Sequence, residues 1–258
     1  MKSHILSKAF ALLALAAAPA LADSSPMYEA PLTDDDQLSL ACVDVDFGYM
    51  TDLDNNLSVD HLYGGTISIG YTFNATKTSY HKLGFKVGMY DGSDKNGVYI
   101  EDITDYGYGY ITDYSSSVDE KFTQQILPVI LEYSYHHAIC DDLFVSLGMR
   151  AGINISKTTM TRGQYLTGNS WEQLGYQPGS EFSHIEENHT RISPVVGVDL
   201  GMEYNISENW KWNAGVNLDF SASMMKEQSY HNMHRTGSQV KNVDVITTTI
   251  HTGFSYSF

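Results

Sequence analysis

The sequence predicts an all-β protein, an eight-stranded antiparallel up-and-down transmembrane β-barrel with four long extracellular loops and three short periplasmic turns. Three observations support this prediction. Eight segments alternate apolar and polar residues with a period of two, and the connections between them alternate between long and short. No run of about 18 consecutive apolar residues follows the N-terminal region, so a chain that spans a membrane must cross it with strands.

The composition fits a folded, exported protein. The 258 residues are 42% hydrophobic and 18% charged, and 31 acidic residues against 15 basic ones give a net charge of −16. This length suits one large all-β domain or two small domains. Phosphate contacts need clustered Lys and Arg, so we expect no nucleic-acid partner. Two cysteines exclude a disulfide-dense scaffold, and no motif predicts a cofactor.

The first 22 residues have the pattern of a secretory signal peptide. Lys2 and Lys8 form a positive region, residues 9–18 form an apolar run, and Ala20-Leu21-Ala22 matches an A-x-A cleavage site. A membrane anchor is the alternative, but the apolar run is short and stops at the cleavage motif. We therefore expect residues 1–22 to direct export through the Sec pathway.

The eight alternating segments follow an acidic stretch, which we interpret as a short periplasmic leader at 23–37, and they define a barrel domain at 38–258. The segments are 41–49, 66–73, 82–89, 126–135, 143–154, 193–204, 210–221 and 245–258. Most are near the roughly 9–11 residues that a tilted strand needs to cross a bilayer. Segment 126–135 is the least regular, because it is apolar on both faces.

The two faces of each segment predict which side meets lipid. One face is apolar and carries aromatic residues near the short connections, as in an interfacial girdle. The other face carries charges and many glycines. Because a bilayer tolerates only the apolar face, we expect the charged face to line a narrow interior. An exported soluble β-sandwich is the alternative fold, and this polarity disfavours it.

The connection lengths alternate in the way expected of an outer-membrane barrel. Long polar connections cover 51–65, 90–122, 155–191 and 222–243. Short connections cover 74–81, 136–142 and 205–209. This parity predicts that the long connections are extracellular and the short ones periplasmic.

The C-terminal octapeptide resembles the terminal signature of bacterial outer-membrane barrels. His251, Gly253, Tyr256 and Phe258 fill its polar, glycine, apolar and terminal aromatic positions. The chain resembles the small eight-stranded group typified by outer-membrane proteins A and X and the opacity proteins, without a peptidoglycan-binding domain. The resemblance implies a location in the bacterial outer membrane and recognition of these four residues by the barrel-assembly machinery.

Ionisable residues on the inward face predict a polar network inside the barrel. Its predicted members are Asp44, Lys86, Glu132, Arg150, Asp199, Glu203, Lys211 and Asp219, with Asp46 and Lys82 on the same face. We expect Glu203 and Lys211 to lie directly opposite each other across a short turn. An enclosed charge needs a partner, so we interpret the network as a plug; a narrow ion path is the alternative.

The two cysteines form a candidate disulfide across the periplasmic end of the barrel. Cys42 lies in the first segment and Cys140 in a short connection, and the compartment is oxidising. The segments that carry them are expected on roughly opposite walls, whereas a disulfide needs Cα atoms within about 7 Å. The sequence leaves the pairing open.

The second long connection is the candidate recognition loop. Residues 91–121 hold eight acids and two bases, a net charge of −6, and residues 98–114 alternate enough to form a protruding hairpin. The candidate contact residues are Tyr99, Tyr106, Tyr108, Tyr110 and Tyr114. Tyrosine clusters are good recognition anchors; a hydrophilic cap over the membrane is the alternative.

These features predict a structural or surface-interaction role, without catalysis and without a metal site. The expected partners are outer-membrane lipid, lipopolysaccharide and an extracellular ligand bound through the loops. One alternative is a lipid-modifying enzyme, for lipid A acyl transfer or deacylation, although no His is followed by Ser two residues later. Another is a small channel, which would need ten or twelve strands.

Overall fold

Eight antiparallel strands form one closed barrel. A computed structural model describes residues 40–54, 57–76, 78–105, 112–166, 175, 177, 179–232 and 235–258. The strands are β1 (Leu40–Asp52), β2 (His61–Phe73), β3 (Ser79–Asp105), β4 (Thr112–Cys140), β5 (Leu143–Leu166), β6 (Glu181–Asn205), β7 (Trp210–Asn232) and β8 (Arg235–Ser257). They pair in chain order, and β8 also pairs with β1. The predicted barrel is confirmed.

The described residues do not include the N-terminal region. The predicted signal peptide at 1–22 and the predicted leader at 23–37 lie outside them. Among the residues that are described, no helix is long and apolar enough to cross a membrane.

Alternate side chains point to opposite sides of the wall, as the period-two pattern predicts. On β6, Val198 and Leu200 are exposed on the outside, whereas Asp199 between them is buried. On β1, Asp44 and Asp46 are buried inside the ring. The apolar faces therefore form the outer wall and the charged faces line the lumen.

Three of the four connections predicted as long loops are built largely of strand. β3 and β4 continue to Asp105 and from Thr112, and β7 and β8 leave only residues 233–234 between them. From Gln125 to Thr112, β4 covers roughly 40 Å at about 3.3 Å per residue. The apolar alternation ends at the membrane edge because water then meets the outer face, but backbone pairing continues without it.

The connection between β1 and β2 folds into the mouth of the barrel. Leu57 and Val59 are 3% and 2% exposed. The Leu57 amide donates a hydrogen bond to Asp52 Oδ2 at 2.6 Å, and the Val59 amide donates to Gln124 Oε1 at 3.3 Å. These bonds satisfy backbone groups that burial would otherwise leave without partners. The connection thus closes the extracellular end of the lumen.

The extracellular half of the lumen is packed with apolar side chains. The larger cluster contains Met50, Leu57, Leu62, Tyr90, Ile126, Met224 and Val245, and a smaller one contains Val59, Phe122 and Met160. Ile126 and Ile130 point inward, which explains why segment 126–135 is apolar on both faces.

Two glycines make room for large inward side chains near mid-height. A Cβ at Gly215 would lie 2.7 Å from His251 Nε2, and a Cβ at Gly48 would lie 3.1 Å from the Tyr90 hydroxyl oxygen. Both glycines neighbour His251 across the ladder, in β7 and β1. The narrow lumen can hold these rings only where the adjacent wall has no side chain.

Ile126→Ala tests the apolar packing of the lumen, with its outward neighbour Leu127→Ala as the matched control. Ile126 is fully buried, and emptying such a site costs about 2–5 kcal/mol in the free energy of unfolding. Leu127→Ala should lower the free energy of unfolding by less, because lipid can fill the space that the outward side chain leaves. Urea unfolding in detergent micelles, followed by gel mobility without boiling, measures both variants. Equal losses in the two variants would contradict the inward packing.

Candidate functional site

Glu203 on β6 is the centre of an ion-pair network in the periplasmic half of the lumen. Its carboxylate accepts a hydrogen bond from the Tyr80 hydroxyl and lies 3.4 Å from Lys211 Nζ, 3.9 Å from Lys82 Nζ and 3.5 Å from His136 Nδ1. Lys211 Nζ also donates to the Tyr80 hydroxyl oxygen at 2.9 Å. Because β3 and β7 lie on opposite sides of the ring, these contacts tie opposite walls together.

Two lysines of β3 connect the network to β1 and β4. Lys82 Nζ lies 2.8 Å from Asp44 Oδ1. Lys86 Nζ lies 3.3 Å from Asp46 Oδ2 and 3.2 Å from Glu132 Oε2. Hydroxyl groups of β2 extend the network, since Ser68 donates to Asp44 and Thr66 donates to Asp46. Four neighbouring strands, β1 to β4, are therefore joined through their side chains as well as their backbones.

The other wall of the lumen has two further charged contacts. Arg150 Nε lies 3.1 Å from Asp219 Oδ1, and His251 Nε2 lies 3.3 Å from Asp199 Oδ2. The lysines and the arginine of this network thus each lie within 4 Å of a carboxylate oxygen. Pairing of this kind is required in a dry interior, where a lone charge is costly.

The register between β6 and β7 differs from the sequence prediction by two residues. Glu203 faces Asn213, and Lys211 faces Asn205. The prediction that Glu203 and Lys211 are direct cross-strand partners was wrong, because the turn is centred one residue later in the chain than the prediction assumed. The Ile206 amide closes this turn by donating to the Trp210 carbonyl at 2.9 Å. An even shift keeps both side chains inward, so the ion pair still forms diagonally.

Tyr80 and His136 are not among the network residues predicted from sequence, and His251 was assigned only to the terminal signature. We predicted that residues 136–142 form a turn, whereas β4 continues to Cys140 and His136 is buried, stacked on Tyr80 at a centroid distance of 4.3 Å. The period-two phase of Glu132 and Ser134 extends to His136. Following that phase to the end of the strand would have found it.

Ser134, His136 and Glu203 stand in the order of a nucleophile, a base and an acid. Ser134 Oγ lies 2.8 Å from His136 Nε2, whose ring turns Nδ1 towards Glu203. The adjoining cavity has a volume of about 40 Å³. That is room for about three waters at roughly 10–15 Å³ each, whereas ligand sites occupy about 300–1,000 Å³. The three residues act as packed polar core and leave no space there for an acyl substrate.

The candidate disulfide is not formed. Cys42 is free and buried on β1, and Cys140 is free and exposed at the end of β4. β2 and β3 separate these strands in the ring. The two thiols therefore belong to different walls.

Beyond the membrane, the wall opens between β6 and β7, whereas β3, β4, β5 and β6 stay paired as one sheet. Pairing of β6 with β7 ends at Val195 and Ser221, where β7 has a bulge. Ser223 has a φ of +57° there, and its carbonyl accepts a hydrogen bond from Arg191 Nε at 2.9 Å. Bulges bend a strand and end pairing, so the β7–β8 hairpin separates from β6 at this level.

The candidate recognition residues lie at the end of the β3–β4 hairpin. Tyr99 is on β3 opposite Val118, and Tyr114 is on β4 opposite Ile103. Tyr106, Tyr108 and Tyr110 lie outside the described residues. The predicted protrusion of 98–114 is thus strand on both sides of residues 106–111.

The residues of the terminal signature lie on β8 and directly after it. Tyr256 packs edge-on against Trp210 and Phe258, with centroids 5.0 Å apart in both pairs. Gly253 faces Asp46 of β1, so this part of β8 contributes to the seam that closes the ring. Among the described residues, no group of three or more His, Cys, Asp or Glu is placed to hold a metal ion.

A closed barrel with an apolar outer wall and enclosed ion pairs is a transmembrane β-barrel, and this one belongs to the bacterial outer membrane.

No protein family and no curated protein matches the sequence. Similar solved structures include Neisserial surface protein A, with 12% identity, a TM-score of 0.36, and 85% of this chain and 97% of that chain covered. A major outer membrane protein of Thermus thermophilus has 11% identity, a TM-score of 0.45, and 86% and 100% covered. The attachment invasion locus protein of Yersinia pestis has 14% identity, a TM-score of 0.36, and 85% and 97% covered.

Glu203→Ala tests whether the network stabilises the barrel. The substitution leaves Lys211 and Lys82 with fewer partners in a buried site, and breaking a buried pair of this kind costs about 3–5 kcal/mol in the free energy of unfolding. Glu208→Ala in the exposed β6–β7 turn is the control and should change it by less than about 0.5 kcal/mol. Urea unfolding measures both. Equal stabilities of the Glu203→Ala variant and the wild type would contradict the role of the network.

Proposed function

We propose that the protein acts at the bacterial cell surface as a sealed barrel whose extracellular hairpins serve adhesion or recognition. The observation that carries the proposal is that the β3–β4, β5–β6 and β7–β8 hairpins continue far above the lipid-facing band while the lumen below them is filled. A barrel that served only to span the bilayer would not need strands of 23 to 29 residues, since about 9–11 suffice for a crossing.

Two layers in series support a sealed lumen. The extracellular layer contains two apolar clusters, which Leu57 and Val59 of the inward-folded connection complete, together with buried polar side chains such as Gln124. The periplasmic layer consists of paired charges. A hydrophobic constriction resists wetting, and an ion that passed it would next have to break ion pairs that bridge the walls.

The extracellular hairpins favour a partner with basic and apolar groups. Residues 91–121 carry a net charge of −6 and five tyrosines, so a basic partner surface has complementary charge and the phenol rings supply contact area. Outer-membrane lipid and lipopolysaccharide surround the apolar wall. The terminal residues His251, Gly253, Tyr256 and Phe258 serve recognition by the barrel-assembly machinery.

A planar-bilayer recording tests the sealed lumen. We expect no steady conductance from the purified, folded protein, because both layers obstruct the path. A reporter porin inserted in the same bilayer shows that the recording detects open pores. Stable, salt-dependent single-channel steps from the wild-type protein would contradict the sealed lumen and favour the channel alternative.

Shortening the β3–β4 hairpin tests the recognition role. Replacing residues 100–117 by Asn-Gly joins Tyr99 to Val118, which already face each other, through a favoured two-residue turn. Cells displaying the wild type should adhere to wells coated with a basic protein such as cytochrome c at least severalfold better than cells displaying this variant.

The matched control removes residues 167–179 from the β5–β6 connection and should retain adhesion. Equal adhesion of the wild type and the shortened hairpin would exclude the β3–β4 hairpin as the recognition element. A changed mass of lipid A in cells that express the protein would instead support the lipid-modifying alternative.

A further inference from the structure

The outer wall carries a groove where β7, β8, β1 and β2 adjoin. Its volume is about 670 Å³, and it is broad and open to the lipid. Its lining includes the small Ala214 side chain and the glycines Gly48 and Gly64. Most other outward positions of the wall carry larger side chains, such as Leu200 and Phe85.

Large apolar side chains form the rim of the groove. Phe47, Tyr63 and Ile250 face the lipid, and Tyr63 and Ile250 are 65% and 57% exposed. Two polar groups of the lining have partners within the protein. Trp212 Nε1 donates to Thr252 Oγ1 at 3.0 Å, and that hydroxyl donates to the Asn213 carbonyl at 3.0 Å. This part of the groove therefore presents a mainly apolar surface.

The extracellular end of the groove is polar. The Tyr49 hydroxyl lies 2.6 Å from His61 Nδ1, and both groups are at the outer surface. His61 begins β2, at the level where the lipid-facing band gives way to the extracellular hairpins. A ligand that fills the groove with hydrocarbon would thus have its polar part on the extracellular side.

We propose that this groove binds one acyl chain of an outer-leaflet glycolipid, whose head group lies beside Tyr49 and His61. Lipid already faces this wall, and a chain that lies in the groove contacts Ala214 together with the large side chains of the rim, which gives it more contact than a convex wall would. A second copy of the protein fits less well. A two-fold contact presents the same patch to itself, so two recesses would face each other across a void.

Ala214→Phe tests the proposal because it fills the groove from an outward position. Ala151→Phe on β5 is the matched control, since Ala151 is also outward and exposed to lipid but is remote from the groove. The three proteins are extracted from lipopolysaccharide-containing outer membranes in mild detergent. Native mass spectrometry then measures the bound lipid, and gel mobility before and after boiling confirms that each barrel is closed.

We expect the wild type and Ala151→Phe to retain one glycolipid per barrel and Ala214→Phe to show at least a tenfold lower occupancy. Equal occupancy in all three would overturn the proposal. Retention of a phospholipid in place of the glycolipid would overturn the outer-leaflet assignment. A cross-linked dimer that Ala214→Phe alone abolishes would show that a second copy occupies the groove.

Discussion

The absence of hydrogen-bonding partners in the lipid core is the constraint on which this structure depends. Backbone groups of eight strands can all be satisfied only if the ring closes, which β8 achieves by pairing with β1 from Cys42 to Asp52. The same constraint sends the charged side chains of the spanning region inward. Once enclosed in a narrow lumen, those charges must pair with one another, so the closed wall and the network around Glu203 are two consequences of one cause.

The two halves of the lumen are filled by different kinds of contact. In the periplasmic half, ion pairs across the ring join strands that share no backbone hydrogen bonds, as Lys82 of β3 does with Glu203 of β6. In the extracellular half, residues such as Phe122 and Leu62 exclude water. Leu57 and Val59 of the β1–β2 connection cover this layer, and the strands from β3 to β8 continue beyond it.

The parts of the fold that lie in lipid could be predicted from sequence, because lipid on one side and a packed lumen on the other impose a strict period of two. From that period, Asp44 and Arg150 were predicted to face the lumen. Above the membrane, water meets the outer face and the period weakens, so the extensions of β5 to β8 were predicted as loops, whereas residues 98–114 alternate and were predicted as a protruding hairpin. The two-residue register error at Glu203 arose because turn length depends on local geometry. Nothing in the pattern of Leu57 and Val59 indicates that a polar connection folds inward.

Spin labelling of β6 in vesicles tests most directly whether the apolar face meets lipid. In a chain with Cys42→Ala and Cys140→Ser, nitroxide labels are placed in turn at positions 198 and 200, and their collision rates with dissolved oxygen and with a water-soluble nickel chelate are compared. The account predicts high exposure to oxygen and low exposure to nickel at both positions. Greater exposure to nickel than to oxygen would show that this face meets water and would contradict the account.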